Sequence, residues 1–273
     1  MNYKLSEIAA VVGGKFTGCD AEVRSVVTDS RSLSCELGCC PMFVAMRGAN
    51  HDSHGFVAQM SARGVRAFLV ERDVECPADC GFVRVDNAID ALQRLAAHYR
   101  AQFRGTVVGI TGSNGKTVIK EWIAEELPAG MKYYRSPKSY NSQLGVPLSV
   151  LMLEGDEELA IFEAGISKPG EMERLGRIIR PDGGVFTSIG DAHQENFLNL
   201  EQKCDEKMVL ARNASKIVYH SYYEPLGGMV AARFADRKPF DAAAFPEVPE
   251  SVIGNAASRR NAQIVEAFCA AMH

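Results

Sequence analysis

The sequence predicts two consecutive α/β units: a small N-terminal unit over residues 1–103 and a mostly parallel, doubly wound unit over residues 104–273. Short apolar runs that suit strands alternate with segments whose apolar residues recur at three- and four-residue spacing, a pattern typical of α/β folds. The pattern resets at a polar, glycine-containing joint near residue 104. A length of 273 residues also fits two domains of ordinary size.

In the N-terminal unit, apolar runs predict strands and periodic segments predict helices. The runs cover residues 42–45, 67–70 and 82–85. The helical patterns cover residues 55–63 and 88–99, and the apolar side chains of the second pattern fall on one helix face. Their alternation favours a small α/β unit.

The second unit opens with the clearest strand–loop–helix of the chain. An apolar, β-branched run at 106–111 is followed by a glycine-rich loop at 112–117 and by an amphipathic helix. Because strands and helices continue to alternate, the sheet is predicted to be parallel with helices on both faces. Later strands are predicted at residues 159–162 and 184–189, and later helices after Pro169, over 200–214 and over 256–272, whereas residues 222–250 give no clear pattern.

Composition excludes several classes of protein. The net charge of −4 gives no reason to expect a nucleic-acid partner. No run approaches the roughly 18 apolar residues of a membrane-spanning helix, so no membrane insertion is expected. The eight cysteines, without a signal peptide, indicate reduced thiols and a cytoplasmic protein. The spacing of Cys35, Cys39 and Cys40 with His51 and His54 fits no standard zinc motif.

The loop after the first strand of the second unit carries the strongest chemical signal. A glycine-rich turn between a strand and a helix directs backbone N–H groups toward an anion at the helix N-terminus. Lys116 would supply a point charge for phosphates, and the Thr117 hydroxyl would reach Mg²⁺. The strict phosphate-loop motif requires a glycine where Ile110 stands. The flanking strand and helix nevertheless predict phosphate binding.

Three further residues of the second unit are candidates from position alone. Glu163 and His193 each follow a predicted strand, so both should lie at the same sheet edge as the phosphate loop. There they would bind Mg²⁺, or else serve as a helix cap and a surface histidine. Lys207 shares a helix face with apolar residues, which fits either a functional lysine or one that extends its ammonium to solvent.

Two polar segments leave their role open. Asn141 lies in a polar loop and would either bind phosphate or form a local turn. Arg31, in the segment Thr-Asp-Ser-Arg at residues 28–31, would either clamp a phosphate or pair with a surface carboxylate.

Taken together, these residues resemble the Mur ligase family of bacterial cell-wall synthesis. The loop at 111–117 looks like the family's ATP loop, and residues 28–31 with 42–48 are similar to its nucleotide-sugar-binding domain. Residues 191–197 resemble the branch that adds D-alanyl-D-alanine to UDP-N-acetylmuramoyl-tripeptide. Residues 136–145 look like the subset of that branch fused to an alanine racemase, as do residues 162–167, although no racemase segment is present. His54 lies in a departure from the family's Asp-Gly-His, which weakens a specific role for it.

The resemblance implies a role for each candidate residue, with ATP and Mg²⁺ as cofactors. Lys207 matches the lysine that the family carbamylates, which turns a cation into a carboxylate-like ligand. The implied ATP-binding residues are Gly112, Ser113, Asn114, Gly115, Lys116, Thr117 and Asn255. The implied UDP-sugar-binding residues are Ser30, Arg31, Asn141 and Ser142. The implied Mg²⁺-binding residues are Thr117, Glu163, His193 and Lys207, and the implied catalytic residues are Lys116, His193 and Lys207.

The same resemblance implies a domain plan and a reaction. Residues 1–103 would bind the UDP-sugar and residues 104–273 would bind ATP, and the motifs of the family's C-terminal ligase domain are not found. The reaction would be ATP-dependent amide formation through an acyl phosphate. Two alternatives stay open: a module that binds ATP and UDP-sugar without ligation, and a ligase of the folylpolyglutamate synthase type.

Overall fold

A computed structural model describes residues 1–32, 40–48, 52–75 and 78–272. The chain divides into two compact units. The first comprises Met1–Phe103 together with Val150–Gly155, and the second comprises Arg104–Ser149 and Asp156–His273. The sequence did not predict that residues 150–155 belong with the N-terminal unit. Within that unit the Tyr99 hydroxyl donates to the Leu153 carbonyl at 2.7 Å.

The N-terminal unit is built on a five-stranded sheet. Its strands lie in the order Lys15–Gly18 (β2), Gly81–Arg84 (β7), Ala67–Val70 (β6), Pro41–Val44 (β5) and Ser25–Val27 (β4). β2 is antiparallel to β7, and the other pairs are parallel. The side chains of Phe43, Phe68 and Met60 are fully buried in its core. The elements are β1 (Tyr3–Lys4), α1 (Leu5–Val12), β2 (Lys15–Gly18), β3 (Glu22–Val23), β4 (Ser25–Val27), β5 (Pro41–Val44), α2 (Val57–Ala62), β6 (Ala67–Val70), β7 (Gly81–Arg84) and α3 (Ala88–Arg100).

One predicted helix of this unit is shorter than expected. The pattern at 55–63 predicted a single helix, but Ser53–Phe56 forms a tighter 3₁₀ turn and α2 begins at Val57. The turn begins early because the Asp52 carboxylate accepts the backbone N–H of His54 at 3.0 Å and caps it.

The second unit is built on a six-stranded sheet in which all neighbouring strands are parallel. Its strands lie in the order Phe240–Asp241 (β13), Lys216–Tyr219 (β12), Gly183–Phe186 (β11), Thr106–Thr111 (β8), Leu159–Ala164 (β10) and Tyr133–Arg135 (β9). β8 is central: the chain first places β9 and β10 on one side of it and then β11, β12 and β13 on the other. The elements are β8 (Thr106–Thr111), α4 (Lys116–Glu125), β9 (Tyr133–Arg135), α5 (Gly145–Val150), β10 (Leu159–Ala164), α6 (Glu171–Ile179), β11 (Gly183–Phe186), α7 (Leu200–Met208), β12 (Lys216–Tyr219), α8 (Leu226–Arg233), β13 (Phe240–Asp241) and α9 (Ala256–Met272).

Helices cover both faces of this sheet. One core joins the sheet to α4 and α9 through buried residues such as Ile119 and Phe268. A second core joins it to α7 and α8 through residues such as Cys204 and Val230. The predicted fold class is confirmed: a small α/β unit is followed along the chain by a unit with a mostly parallel, doubly wound sheet.

Several boundaries in the second unit differ from the sequence predictions. The strand predicted to reach residue 189 ends at Phe186, because the next residues turn to contact the phosphate loop. The helix predicted over 200–214 ends at Met208 and continues as a 3₁₀ turn. The unclear segment 222–250 contains α8 and β13, whereas α9 has the predicted bounds. Among the described residues, no helix is long and apolar enough to cross a membrane.

Candidate functional site

The phosphate loop joins the central strand β8 to helix α4. Its first glycine, Gly112, has φ +154°, and a Cβ there would lie 1.8 Å from the Thr187 hydroxyl. Gly115, just before the helix, has φ +85°. Both positions therefore require glycine. The loop reaches α4 with its backbone folded as an anion-binding turn requires.

Residues that follow β11 fix the shape of this loop. The Thr187 hydroxyl donates to the Asn114 carbonyl at 2.6 Å, and the Ser188 carbonyl accepts the Ser113 N–H at 2.7 Å. The Ser113 hydroxyl donates to the Gly190 carbonyl at 3.2 Å. The sequence placed residues 187–189 in a strand, so these loop contacts were missed.

Lys116, the first residue of α4, folds back over the loop. Its Nζ donates to the Gly112 carbonyl at 3.0 Å and to the Ser113 carbonyl at 3.1 Å. Burial lowers the pKa of this ammonium, and the nearby Glu163 carboxylate opposes the shift. The ammonium therefore lies over the loop where a bound phosphate would need it.

Thr117 and Glu163 form a pair of oxygen ligands at the sheet edge. The exposed Thr117 hydroxyl donates to Glu163 Oε2 at 3.1 Å. Two adjacent ligands of an octahedral Mg²⁺, each about 2.1 Å from the ion, lie about 3.0 Å apart. Glu163 is fully buried, and its Oε1 makes no hydrogen bond within the described residues but faces a buried ammonium, described below. The donor types and their separation fit a divalent cation.

Asn141 extends this group, and Ser142 does not. The Asn141 amide lies 3.5 Å from Glu163 Oε2 and its carbonyl accepts the Gly165 N–H at 2.8 Å, so the residue is placed beside the cation ligands. The Ser142 hydroxyl instead accepts the N–H of Gly145 at 3.0 Å, where α5 begins. Their UDP-sugar roles stay predictions.

The structure brings one further charged residue to Glu163 that the sequence analysis missed. Lys120 is fully buried on α4, and its Nζ lies 2.9 Å from Glu163 Oε1. Lys120 is three residues after Thr117, so both lie on one side of the helix. That spacing was the available signal, but a lysine in an otherwise amphipathic helix is usually exposed.

Lys207 points inward, as its helix face predicted. It is 3% exposed, and its Nζ donates to the Gly112 carbonyl at 3.0 Å. Burial lowers the pKa of Lys207 to about 7, and the positive charges of Lys116 and Lys203 lower it further in the same direction. Lys203, which the sequence analysis missed, is also buried and donates to the Gly190 carbonyl at 2.6 Å.

His193 lies in the loop after β11 but is exposed, with 54% of its side chain accessible. Its charged neighbour is Glu195, 4.0 Å away, and no hydrogen bond joins it to Glu163 or Lys207 in the part of the chain that the structure describes. His193 reaches the predicted sheet edge without joining the buried ligands. Its metal and catalytic roles stay predictions.

Two asparagines lie near the start of α9: Asn255, which the resemblance implied for ATP binding, and Asn261, which the sequence analysis did not identify. The exposed Asn255 caps α9, and its Oδ1 accepts the N–H groups of Ala257 at 2.9 Å and Ser258 at 3.1 Å. Asn261, six residues further along the chain, has its Oδ1 3.0 Å from where a Cβ on Gly115 would lie. Asn261 therefore lies against the phosphate loop, and the ATP role of Asn255 stays a prediction.

Ser30 and Arg31 lie in the N-terminal unit. The Arg31 side chain is 89% exposed and pairs with Asp29, with Nη2 2.8 Å from Oδ2. The Ser30 carbonyl accepts a hydrogen bond from Arg63. This Arg31–Asp29 contact is the surface pair that the sequence analysis held as one of two options.

Of the cysteines and histidines considered as a zinc site, the structure describes Cys40 and His54. Cys35, Cys39 and His51 lie outside the described residues, within which no group of three or more metal-ligating side chains occurs. The buried His54 ring is held by the Asp52 carboxylate and accepts the Glu71 N–H at 2.9 Å.

Comparisons with known proteins agree with this geometry. Residues 110–228 match the Mur ligase middle domain. UDP-N-acetylmuramoyl-tripeptide--D-alanyl-D-alanine ligases of Bacillus subtilis and Escherichia coli are each 33% identical to the chain, over 75% and 72% of its length. These alignments cover 45% and 42% of the two relatives, so the chain spans less than half the length of the curated relatives it matches.

Solved structures of the same type share the fold. MurF from Acinetobacter baumannii superposes with a TM-score of 0.83 at 22% identity, covering 100% of this chain and 65% of that one. MurF from Thermotoga maritima in complex with ADP gives a TM-score of 0.67 at 29% identity, covering 80% and 49%. The phosphate loop from Gly112, Glu163, His193 and Lys207 all lie inside residues 110–228, the segment that is similar to the Mur ligase middle domain.

Proposed function

We propose that this chain serves the reaction named in its curated relatives, the ATP-dependent joining of D-alanyl-D-alanine to UDP-N-acetylmuramoyl-tripeptide. The observation that carries the proposal is the group formed by Lys116, Thr117 and Glu163 around the phosphate loop. It offers one cation for phosphate and two oxygen ligands for Mg²⁺, as a phosphoryl-transfer site requires.

The first step would form an acyl phosphate. An oxygen of the tripeptide's terminal carboxylate attacks the γ-phosphorus of ATP, and ADP leaves. Repulsion between the carboxylate and the triphosphate opposes this step. The Lys116 ammonium and the backbone N–H groups at the start of α4 reduce that repulsion and hold the phosphates in place.

In the second step, the amine of D-alanyl-D-alanine attacks the acyl carbon. The bond from that carbon to the phosphate oxygen breaks, phosphate leaves, and the amine gives up a proton. When bound, Mg²⁺ supplies further neutralisation of the phosphate oxygens. Thr117 and Glu163 would hold it.

Lys207 fits the role of a modified lysine. Its low pKa leaves much of the amine uncharged near neutral pH, and an uncharged amine reacts with CO₂. A C–N bond then forms, one proton is released, and the product carries a carboxylate-like group. Because Lys207 already contacts the phosphate loop, that group would lie within the same site as a further Mg²⁺ ligand. His193 would serve the metal after moving from its exposed position.

The N-terminal unit would bind the UDP-sugar, with Ser30 and Arg31 as contacts. The exposed guanidinium of Arg31 is available to an anion, since its present partner is only a surface carboxylate. Residues 1–103 would form this domain, and residues 104–273 the ATP-binding domain.

Calorimetric titrations with Mg²⁺·ATP and with UDP-N-acetylmuramoyl-tripeptide, together with a phosphate-release assay, test the proposal. Both ligands should bind, and phosphate release should need the tripeptide nucleotide, D-alanyl-D-alanine and ATP together. Binding of both ligands without phosphate release would instead favour a binding module. Failure to bind ATP would overturn the proposal.

A further inference from the structure

Lys120 occupies a position that the proposed chemistry does not yet use. It is a lysine with no exposed surface, in contact with an equally buried carboxylate, Glu163. Its Nζ donates to the Ser136 carbonyl at 2.6 Å and to the Lys138 carbonyl at 2.8 Å. The same ammonium forms ion pairs with Glu163 Oε1 at 2.9 Å and with Glu121 Oε1 at 3.3 Å.

Burial separates Lys120 from Lys116, which lies four residues earlier on the same helix. Lys116 is half-buried, and among the described residues its Nζ donates to two carbonyls of its own loop, so its ammonium can exchange them for a phosphate. Lys120 has no exposed surface, so its ammonium is not accessible to a ligand that enters from solvent. Whatever Lys120 contributes to the site, it contributes through Glu163.

The two oxygens of Glu163 are divided between two partners. Oε1 faces the Lys120 ammonium, and Oε2 accepts the Thr117 hydroxyl at 3.1 Å. Thr117 and Lys120 are three residues apart on α4, so one helix holds both ends of the carboxylate. This arrangement leaves Oε2, beside the Thr117 oxygen, as the one directed to a cation.

We propose that Lys120 is a positioning residue for the divalent cation that accompanies the nucleotide: by holding Glu163 Oε1, it directs Oε2 alone to the cation as a single-oxygen ligand. The same ammonium fixes the turn at residues 136–138, which leads to Asn141 and its contact with Oε2. This inference rests on the nucleotide-binding part of the proposed function.

The test is the gain in nucleotide affinity that Mg²⁺ provides. The dissociation constant of a fluorescent ADP analogue is measured with Mg²⁺ and with EDTA on each variant, and the ratio of the two constants is the Mg²⁺ gain. A purely structural lysine would alter stability without altering this ratio, because the two constants come from the same folded protein.

We expect a Mg²⁺ gain of about tenfold or more in the wild type. Glu163→Gln should reduce the gain to about twofold or less, and Lys120→Met should do the same while binding in EDTA stays within threefold of wild type. The double variant should show no further loss. Lys132→Met is the matched control: it removes a lysine–carboxylate pair, with Asp156, before β9, and should keep the full gain.

Lys120→Met also leaves a buried carboxylate without its cation, so it should lower the melting temperature, and the double variant should recover part of that loss. If Lys120→Met does not fold, a crystal structure of the wild type with Mn²⁺ and ADP tests the same proposal, because it shows which oxygens of Glu163 bind the metal. The anomalous signal should show one Glu163 oxygen on the metal, with Lys120 still beside the other.

The outcomes separate the two proposals. A Mg²⁺ gain retained in Lys120→Met but lost in Glu163→Gln overturns the role of Lys120 alone, as does coordination of Mn²⁺ by both oxygens of Glu163. A wild type without any Mg²⁺ gain overturns the nucleotide site and this inference together.

Discussion

Two candidate binding regions differ in how far their side chains are already fixed in place without a ligand. One is the sheet edge of the second unit at the phosphate loop, called here the loop edge. The other is the Ser30–Arg31 turn of the N-terminal unit. At the loop edge, Glu163, Lys120 and Lys207 are buried; Lys120 contacts Glu163, and Lys207 contacts the phosphate loop at Gly112. Arg31 is exposed and pairs with a residue two positions away. Buried charges hold a fixed arrangement, whereas an exposed pair is weak and exchanges partners easily.

The difference follows from topology. Parallel strands bring their carboxyl ends to one edge, so residues distant in sequence meet there and are covered by helices. In the Ser30–Arg31 turn, by contrast, the Arg31 side chain pairs with its near neighbour Asp29 and stays exposed. We therefore expect variants at the loop edge to change nucleotide binding or stability strongly, and variants at the turn to change ligand binding alone.

The largest effect is expected for Lys116→Ala. Removing the ammonium over the loop should weaken ADP binding about 100-fold, or about 3 kcal/mol, and abolish ATP turnover. Calorimetry and a phosphate-release assay measure the two effects. Lys216→Ala, an exposed lysine at the start of β12, should leave both unchanged. Undiminished turnover in Lys116→Ala would contradict the assignment.

Gly112→Ala should lower the free energy of unfolding by about 3 kcal/mol, because the new Cβ would meet the Thr187 hydroxyl and the backbone is strained for alanine. Gly130→Ala is the matched control, since Gly130 also has a positive φ but nothing within 4 Å of the added Cβ. It should lose only about 1 kcal/mol in urea unfolding. Equal losses in the two variants would mean that the loop is not closely packed.

Lys207 should make stability depend on pH in a defined direction. Its folded pKa of about 7 lies below its ordinary value, so between the two values the unfolded chain binds a proton that the folded chain does not. Stability should therefore rise with pH in that window and lose this contribution as pH falls through 7.

In CO₂-free buffer, the wild type should gain about 2 kcal/mol relative to Lys207→Met between pH 7 and pH 9, as measured by urea unfolding. The difference between the two proteins isolates Lys207 from other groups that titrate in this range. If the free energies of unfolding of the two proteins changed with pH in parallel, Lys207 would not be buried as a neutral amine.

The smallest effect on the fold is expected for Arg31→Ala. The melting temperature and ADP affinity should not change, while affinity for UDP-N-acetylmuramoyl-tripeptide should fall about tenfold. Thermal melts and calorimetry provide the three values. A lower melting temperature would make Arg31 structural and would break the contrast between the two regions.

Sequence patterns predicted the fold class and the sheet edge, because strand–helix alternation and the rule for parallel strands depend only on local periodicity and topology. They identified Lys116, Thr117, Glu163 and Lys207, which lie close together in the structure. They missed Lys120 and Asn261, because each lies on a helix in a position where burial depends on the packing of distant elements. Residues 187–189 were predicted as strand because their contacts with the phosphate loop depend on tertiary structure.

The Mg²⁺ dependence of nucleotide binding tests the central claim most directly. ADP binding by the wild type should be at least about tenfold tighter with Mg²⁺ than with EDTA, and Thr117→Val, which keeps the side-chain shape but removes the hydroxyl, should lose most of that gain. Equal dissociation constants in Mg²⁺ and EDTA for the wild type, or a full gain in Thr117→Val, would contradict the account of this site.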